Sequence, residues 1–363
     1  MCIRDRPERT PAQLLVDIQS AKVTGLSGTV VQTADLGLPS ISIPGAKKGS
    51  ADLSSTIMGT HTWRVWYAGD TKARLALLGQ GSESDIIRNG TDVWMWSSTT
   101  KTATHYTVPA NFGPKKDADA ITAPRIAEGL ATPLPSSPQD AADKALALLD
   151  PSTEVTAPGT TTVAGRAAYQ LVLTPRAKES LVASVRIAVD AETKVPLRVQ
   201  VMSTRIATPA FEVGFTAVDF GVPDAQTFAF TPPAGTTVTE GQTPLTGEKP
   251  ADKGVNSMVP GELPGKTTGP GAGLASAKPK LVGTGWATVV IVKGEPRTAS
   301  APEDPTTGPG KSARPDAMSS MLAQLPATSG TWGTGRVLEG TIFTALLADD
   351  GRVAIGAVPA DRL

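Results

Sequence analysis

Between residues 185 and 215 apolar side chains recur at every second position: Val185, Ile187 and Val189, then Leu197, Val199 and Val201, then Phe211, Val213 and Phe215. Arg186, Arg198, Gln200 and Glu212 occupy intervening positions, and Asp190 to Lys194 reads as the turn between the first two runs. A period of two marks a strand with one buried face, because successive side chains leave the backbone on opposite sides. Tyr169, Leu171 and Leu173 carry the same pattern upstream. Four such strands predict an antiparallel sheet covered on one side.

The period also rules the first part of the chain. It predicts strands near 26–33, 60–67, 72–79, 84–88, 91–97 and 103–108, with Asn89-Gly90 as a type I′ hairpin turn. A helix is expected before each strand run. Thr10-Pro11-Ala12-Gln13 supplies a cap, a first-turn proline and a capping-box Gln ahead of Leu14, Leu15 and Ile18, which places a helix over 11–23. Ser137-Pro138-Gln139-Asp140 does the same ahead of Ala141, Ala142, Ala145, Leu146 and Leu149, for a helix over 138–150.

Residues 236–280 are rich in Gly, Pro, Thr and Lys and poor in large apolar residues, too poor to offset the entropy of ordering, and read as a flexible linker. Beyond it, Leu281 to Lys293 is strand-like, Gly294 to Pro315 is a second insertion of linker composition and Asp316 to Leu325 fits a short helix. Arg336 to Leu347 and Val353 to Val358 flank Asp349-Asp350-Gly351 as a hairpin. The expected organisation is a non-native leader over 1–9, a sheet domain over 10–235, the linker, and a small α+β domain over 281–363. Met1-Cys2-Ile3-Arg4-Asp5-Arg6 resembles translated adapter sequence, which implies that a signal peptide or lipid-anchoring cysteine is missing from the chain.

Composition removes several classes of function. Lys and Arg total 34 and so do Asp and Glu, so no net field draws nucleic acid. Cys2 is the lone cysteine, which excludes an intramolecular disulfide, and no apolar run reaches about 18 residues, the length of a spanning helix. The histidines, His61 and His105, lack metal-ligand spacing, so no metal or other cofactor is expected. Gly310-Lys311-Ser312 ends like a phosphate-binding loop, but Pro305 stands at its first glycine; Gly333-Thr334-Gly335 meets Leu338 where a dinucleotide motif needs glycine. No GxSxG elbow occurs, and Asp349-Asp350 reads as a solvated turn rather than an acid/base pair. Asn89-Gly90-Thr91 also fits a glycosylation acceptor, but the hairpin already explains it. The chain is expected not to be an enzyme.

The order helix, meander, helix, four-strand meander, together with VWYAGDTKARLALLGQGSESDIIRNGTDVWMWSSTTKTATHY at 65–106, VDAETKVPLRVQV at 189–201 and FAFTPPAGTTV at 228–238, resembles the LolA-like outer-membrane lipoprotein carrier superfamily, more narrowly its actinobacterial members. The resemblance covers roughly residues 10–240. It implies an unclosed antiparallel half-barrel with a helical lid. Gly285-Trp286, Trp332-Gly333 and LLADDGRVAIGAVP at 346–359 resemble the C-terminal part of the same actinobacterial proteins and are similar in layout to the second domain of RseB-type regulators. The implied role is a monomeric extracytoplasmic protein of the cell envelope that holds lipid or lipoprotein acyl chains, or else a regulatory sensor that binds a membrane-anchored partner such as an anti-sigma factor.

The residues expected on the apolar concave face are Trp63, Val65, Trp94 and Trp96 from the first meander, with Tyr169, Leu171, Leu173, Val185, Ile187, Val189, Leu197, Val199, Val201, Phe211, Val213 and Phe215 from the second. Two readings stand side by side. These side chains pack as a core under the helices, each contributing about 1.5 to 3 kcal/mol, or part of the face lines a cavity for acyl chains.

Overall fold

The computed structural model describes residues 8–38, 58–109, 137–147, 149–241, 279–293 and 325–363. Strands β1 (Leu26–Ala34), β2 (Gly59–Tyr67), β3 (Lys72–Gly79), β4 (Ser82–Asn89), β5 (Asp92–Ser97) and β6 (Thr102–Thr107) form one meander. Strands β7 (Thr153–Val163), β8 (Arg166–Pro175), β9 (Val182–Asp190), β10 (Pro196–Ser203) and β11 (Pro209–Asp219) form another. Pairing of β1 with β2 on one side and β11 on the other, both antiparallel, merges the meanders. A short β12 (Thr237–Glu240) adds parallel to β6. The resulting 12-stranded sheet runs β12-β6-β5-β4-β3-β2-β1-β11-β10-β9-β8-β7 and is not closed, the half-barrel expected from the sequence.

Helix α1 (Pro11–Ser20) begins with the expected capping box: Thr10 Oγ1 accepts from the Gln13 amide at 3.2 Å and Gln13 Oε1 accepts from the Thr10 amide at 3.0 Å. Helix α2 (Pro138–Leu146) begins with Ser137 Oγ accepting from the Asp140 amide at 3.1 Å. Both stop short of their expected ends at 23 and 150. In α1, Ser20 Oγ donates to the Val16 carbonyl at 2.7 Å, and Ala21 turns to extended backbone.

Three details differ from expectation for identifiable reasons. At the β4–β5 hairpin Asn89 pairs with Asp92, so the loop residues are Gly90 and Thr91 and Gly90 alone takes positive φ, the arrangement of a type II′ rather than a type I′ turn. Strand β7 has a Thr-rich, mostly polar sequence whose alternation breaks at a bulge between Thr156 and Gly159, which hides it from a hydrophobic-period reading. Finally the large sheet continues past residue 235 through β12, whose four residues are all exposed and carry no apolar face.

A 6-stranded sheet holds β13 (Lys280–Val282), β14 (Val289–Lys293), β15 (Ala327–Gly330), β16 (Gly333–Glu339), β17 (Thr344–Ala348) and β18 (Arg352–Gly356) in the order β13-β14-β18-β17-β16-β15. The expected hairpin at Asp349 to Gly351 joins β17 to β18, with Gly351 at φ +88°. The helix expected over 316–325 lies outside the described residues save for Leu325, as do the insertion at 294–315 and most of the linker. The two sheets dock through polar contacts: Ser203 Oγ donates to the Thr341 carbonyl at 2.5 Å, Arg205 Nη1 to the Gly340 carbonyl at 2.6 Å and Trp286 Nε1 to Thr153 Oγ1 at 2.7 Å.

The turn after β9 is held by Asp190, which is 1% exposed. Arg166 donates to its two oxygens at 2.6 and 3.0 Å, and the amides of Thr193 and Glu192 donate at 2.8 and 3.0 Å. Burial opposes ionisation here, but the Arg166 and amide hydrogen bonds outweigh it and hold the carboxyl below its ordinary value. A depressed folded value means that this stabilisation is complete above the unfolded carboxylate range and is lost as pH falls through the folded value. Asp190→Ala is expected to lower stability by about 1 to 3 kcal/mol at neutral pH, because it leaves two turn amides without their acceptor and takes from Arg166 its buried partner. Urea unfolding measures it, and the deficit should shrink below about pH 4.

Candidate functional site

Register assigns each side chain to a face. From Val30 on β1 the cross-strand partners run Trp63, Leu77, Ser84 and Ser97 in one direction and Phe215 in the other. Val213 pairs with Val199, Val199 with Ile187 and Ile187 with Leu171. Trp63, Val65, Tyr169, Leu171, Leu173, Val185, Ile187, Val189, Leu197, Val199, Phe211, Val213 and Phe215 therefore share one inner face, and all are buried in one cluster, with Val201 packed at its margin. Gly28 belongs to the same face. A Cβ there would stand 2.8 Å from the Phe215 ring and 2.6 Å from the Ala217 carbonyl, so its absence is what lets Phe215 lie across β1.

Trp94 and Trp96 are not on this face. Their even positions on β5 put them opposite Met95 and Ser97, hence on the outer surface, where Trp94 stacks on His105 at 4.4 Å and tilts against Phe230 at 5.4 Å. The expectation that grouped them with Trp63 and Val65 is corrected by register: counted across the three intervening hairpins, the inner residues of β5 are again odd-numbered, so Trp94 and Trp96 face outward.

Register also adds residues that the sequence reading missed. Leu75, Leu77, Ile86, Val93 and Met95 continue the inner apolar surface across β3, β4 and β5. Leu77 is fully buried, whereas Leu75, Ile86, Val93 and Met95 are half-buried. Counting outward from Trp63 across the tight turns at 80–81 and 90–91 was the signal that could have found them.

The cover over this face is uneven. Leu14 and Ile18 of α1, Leu146 with Ala141, Ala142 and Ala145 of α2, and Trp286 from the second sheet's side join the buried cluster. Helix α2 lies across β10 and β11. Its contribution is largely methyl groups, each removing about one carbon from water, or about 0.8 kcal/mol. The one fully buried polar side chain among the large ones is Gln32, whose Oε1 accepts from Trp63 Nε1 at 3.1 Å. Two shallow, open depressions of about 270 and 260 Å³ lie elsewhere and include none of the expected face residues.

Other motifs resolve structurally. His61 Nε2 lies 2.9 Å from the Met58 carbonyl, and Gly333-Thr334-Gly335 opens β16. Among the described residues no cluster of His, Cys, Asp and Glu is arranged for a metal ion, and no helix is long and apolar enough to cross a membrane. The loop-like Gly310-Lys311-Ser312 lies outside them.

No family model and no curated protein matches the chain. Among solved structures it is similar to the MucA/MucB complex of Pseudomonas aeruginosa, with a TM-score of 0.43 and 14% identity over 97% of this chain and 95% of that one. It is also similar to a LolA superfamily protein of Nitrosomonas europaea, TM-score 0.20 and 9% identity over 61% and 99% of the chains. A third is lipoprotein LppX of Mycobacterium tuberculosis, TM-score 0.25 and 10% identity over 56% and 93%. Likenesses at this level assign neither a family nor a function.

The division of the inner face is testable by stability. Ile187→Ala should cost about 2 to 5 kcal/mol, as deletion in a packed core does. Met95→Ala, on the half-buried part, should cost under about 1 kcal/mol. Denaturant midpoints of the two variants measure the difference.

Proposed function

We propose that the protein is a non-catalytic binding protein of the cell envelope that takes an acyl chain, free or carried on a lipoprotein, onto the inner face of the half-barrel. The observation that carries this reading is the continuity of the apolar surface from the buried cluster at Leu77 and Val65 to half-buried Leu75, Ile86 and Met95. An acyl chain laid along that surface would enter at β3 to β5 and advance by displacing α2, whose alanine contacts are weak next to the roughly 0.8 kcal/mol gained for each methylene buried. Entry on one side and a displaceable cover on the other are what a carrier needs in order both to load and to release.

A second reading, a sensor that binds a membrane-anchored protein, draws on the docking of the 6-stranded sheet through Ser203, Arg205 and Trp286. Such contacts would pass a change in the large sheet to a partner held by the small one. In that case lipid is the signal rather than the cargo.

Native mass spectrometry of the full chain purified from a bacterial membrane-containing lysate, with organic extraction of whatever it holds, tests the proposal. The expected result is a lipid adduct near one to one that is lost in Met95→Asp, a charge placed at the open end, while the folded mass and unfolding midpoint persist. An apo mass in both proteins, unchanged after incubation with phospholipid or acylated peptide, contradicts the binding of acyl chains and leaves the partner reading.

A further inference from the structure

Residues 220–240 leave β11 at the middle of the sheet and cross the outer face to its edge. The turn Ala225–Phe228 lies against β3 and β4, with Phe228 only 1% exposed. Phe230 meets both Trp94 and Trp96. The segment ends as β12, where the Thr237 amide donates to the Lys101 carbonyl at 2.8 Å and the Gly241 amide to the His105 carbonyl at 2.7 Å. It is a strap, and ionisable groups hold it at two points.

The first point is Asp85 on β4, whose side chain has no exposure. Arg74 Nη2 donates to its Oδ2 at 2.5 Å and stands 3.5 Å from Glu83, while Arg74 Nη1 reaches the strap at the Thr227 carbonyl, 3.5 Å away. Arg74 also lies over the Trp66 ring, as does Arg64. One guanidinium thus serves two carboxylates beneath the strap. Burial, and after it Glu83, push the Asp85 carboxyl up to about 7 against the pull of Arg74.

The second point is His105 on β6. Its Nε2 lies 2.9 Å from Asp92 Oδ1 and its Nδ1 3.1 Å from Glu240 Oε2 on the strap. A neutral imidazole has one N–H and can donate to one of these carboxylates; the imidazolium donates to both. Among the described residues, Asp92 and Glu240 are the ionisable groups that face His105, as Arg74 and Glu83 face Asp85.

We propose that residues 220–240 are a proton-operated strap, closed when His105 is charged and Asp85 is neutral, and loosened when both protons leave, which uncovers Trp94, Trp96 and the edge of β6. The two sites act in the same direction. A carboxyl raised in the folded state contributes stability that is full below its unfolded value and is lost as pH rises through about 7. Loss of the His105 proton leaves one N–H for two carboxylates, so the ring can no longer hold Asp92 and Glu240 together.

Hydrogen exchange of the full chain at about pH 5.5 and about pH 8, corrected for intrinsic exchange, reads the strap directly. Protection of the amides at 226–230 and 237–241 is expected to fall at least about tenfold between the two, the equivalent of one pKa unit, while amides of β9 and β10 keep theirs. Asp85→Asn should hold 226–230 closed at the higher pH, and His105→Gln should remove the pH dependence at 237–241 alone. Should Asp85→Asn fail to fold, Glu240→Gln repeats the test at the second site. Strap protection that is the same at both pH values, or a pH dependence at 237–241 that survives both His105→Gln and Glu240→Gln, overturns the proposal.

Discussion

The antiparallel pairing of β1 with β2 and β11 is the contact on which the rest depends. Without it the chain would hold two separate meanders, each with an apolar face of its own; with it, the faces become one surface running from Met95 to Leu173. The pairing with β11 carries a register shift between Thr29 and Val30, and Gly28 gives Phe215 room to lie over the junction. Since side-chain direction alternates strictly along a strand, this one pairing decides which residues face the helices and which face outward.

Strands β8 to β11 of the second meander were legible in the sequence, because the apolar positions from Tyr169 to Phe215 alternate and each had one possible face. Both helix starts were legible too, since Thr10 and Ser137 make the hydrogen bonds their spacing implied. The first meander was legible as strands but not as faces. Trp63 and Trp96 look equivalent in isolation, and the number of residues in each intervening turn, not composition, sends them to opposite sides. Strands β7 and β12 were hidden because edge strands pack on one neighbour and need no apolar alternation. Of the candidate site, then, the buried half was readable and the half-buried end at Leu75, Ile86 and Met95 was not, because it follows from turn lengths.

The two faces of the sheet have different chemistry. Inside, burial is largely apolar, with Gln32 answered by Trp63, and the cover is α1, through Leu14 and Ile18, and α2, largely through its alanines and Leu146. Outside, Arg74, Asp85, Glu83, His105 and Glu240 sit among tryptophans beneath or beside the strap. An acyl chain would respond to the first face and protons to the second. Both share β4 and β5, where Ile86 and Met95 point inward while Asp85 and Trp96 point outward.

The claim that the inner face is the acyl-binding surface is tested most directly by a photoreactive fatty acid cross-linked to the full chain, with the modified residues mapped by mass spectrometry. The account predicts labels on Leu75, Ile86, Val93 or Met95, extending toward α2 as the photoreactive carbon is moved along the acyl chain. Labels confined to Trp66, Trp94 and Trp96 on the outer face, or scattered without regard to strand parity, would contradict it.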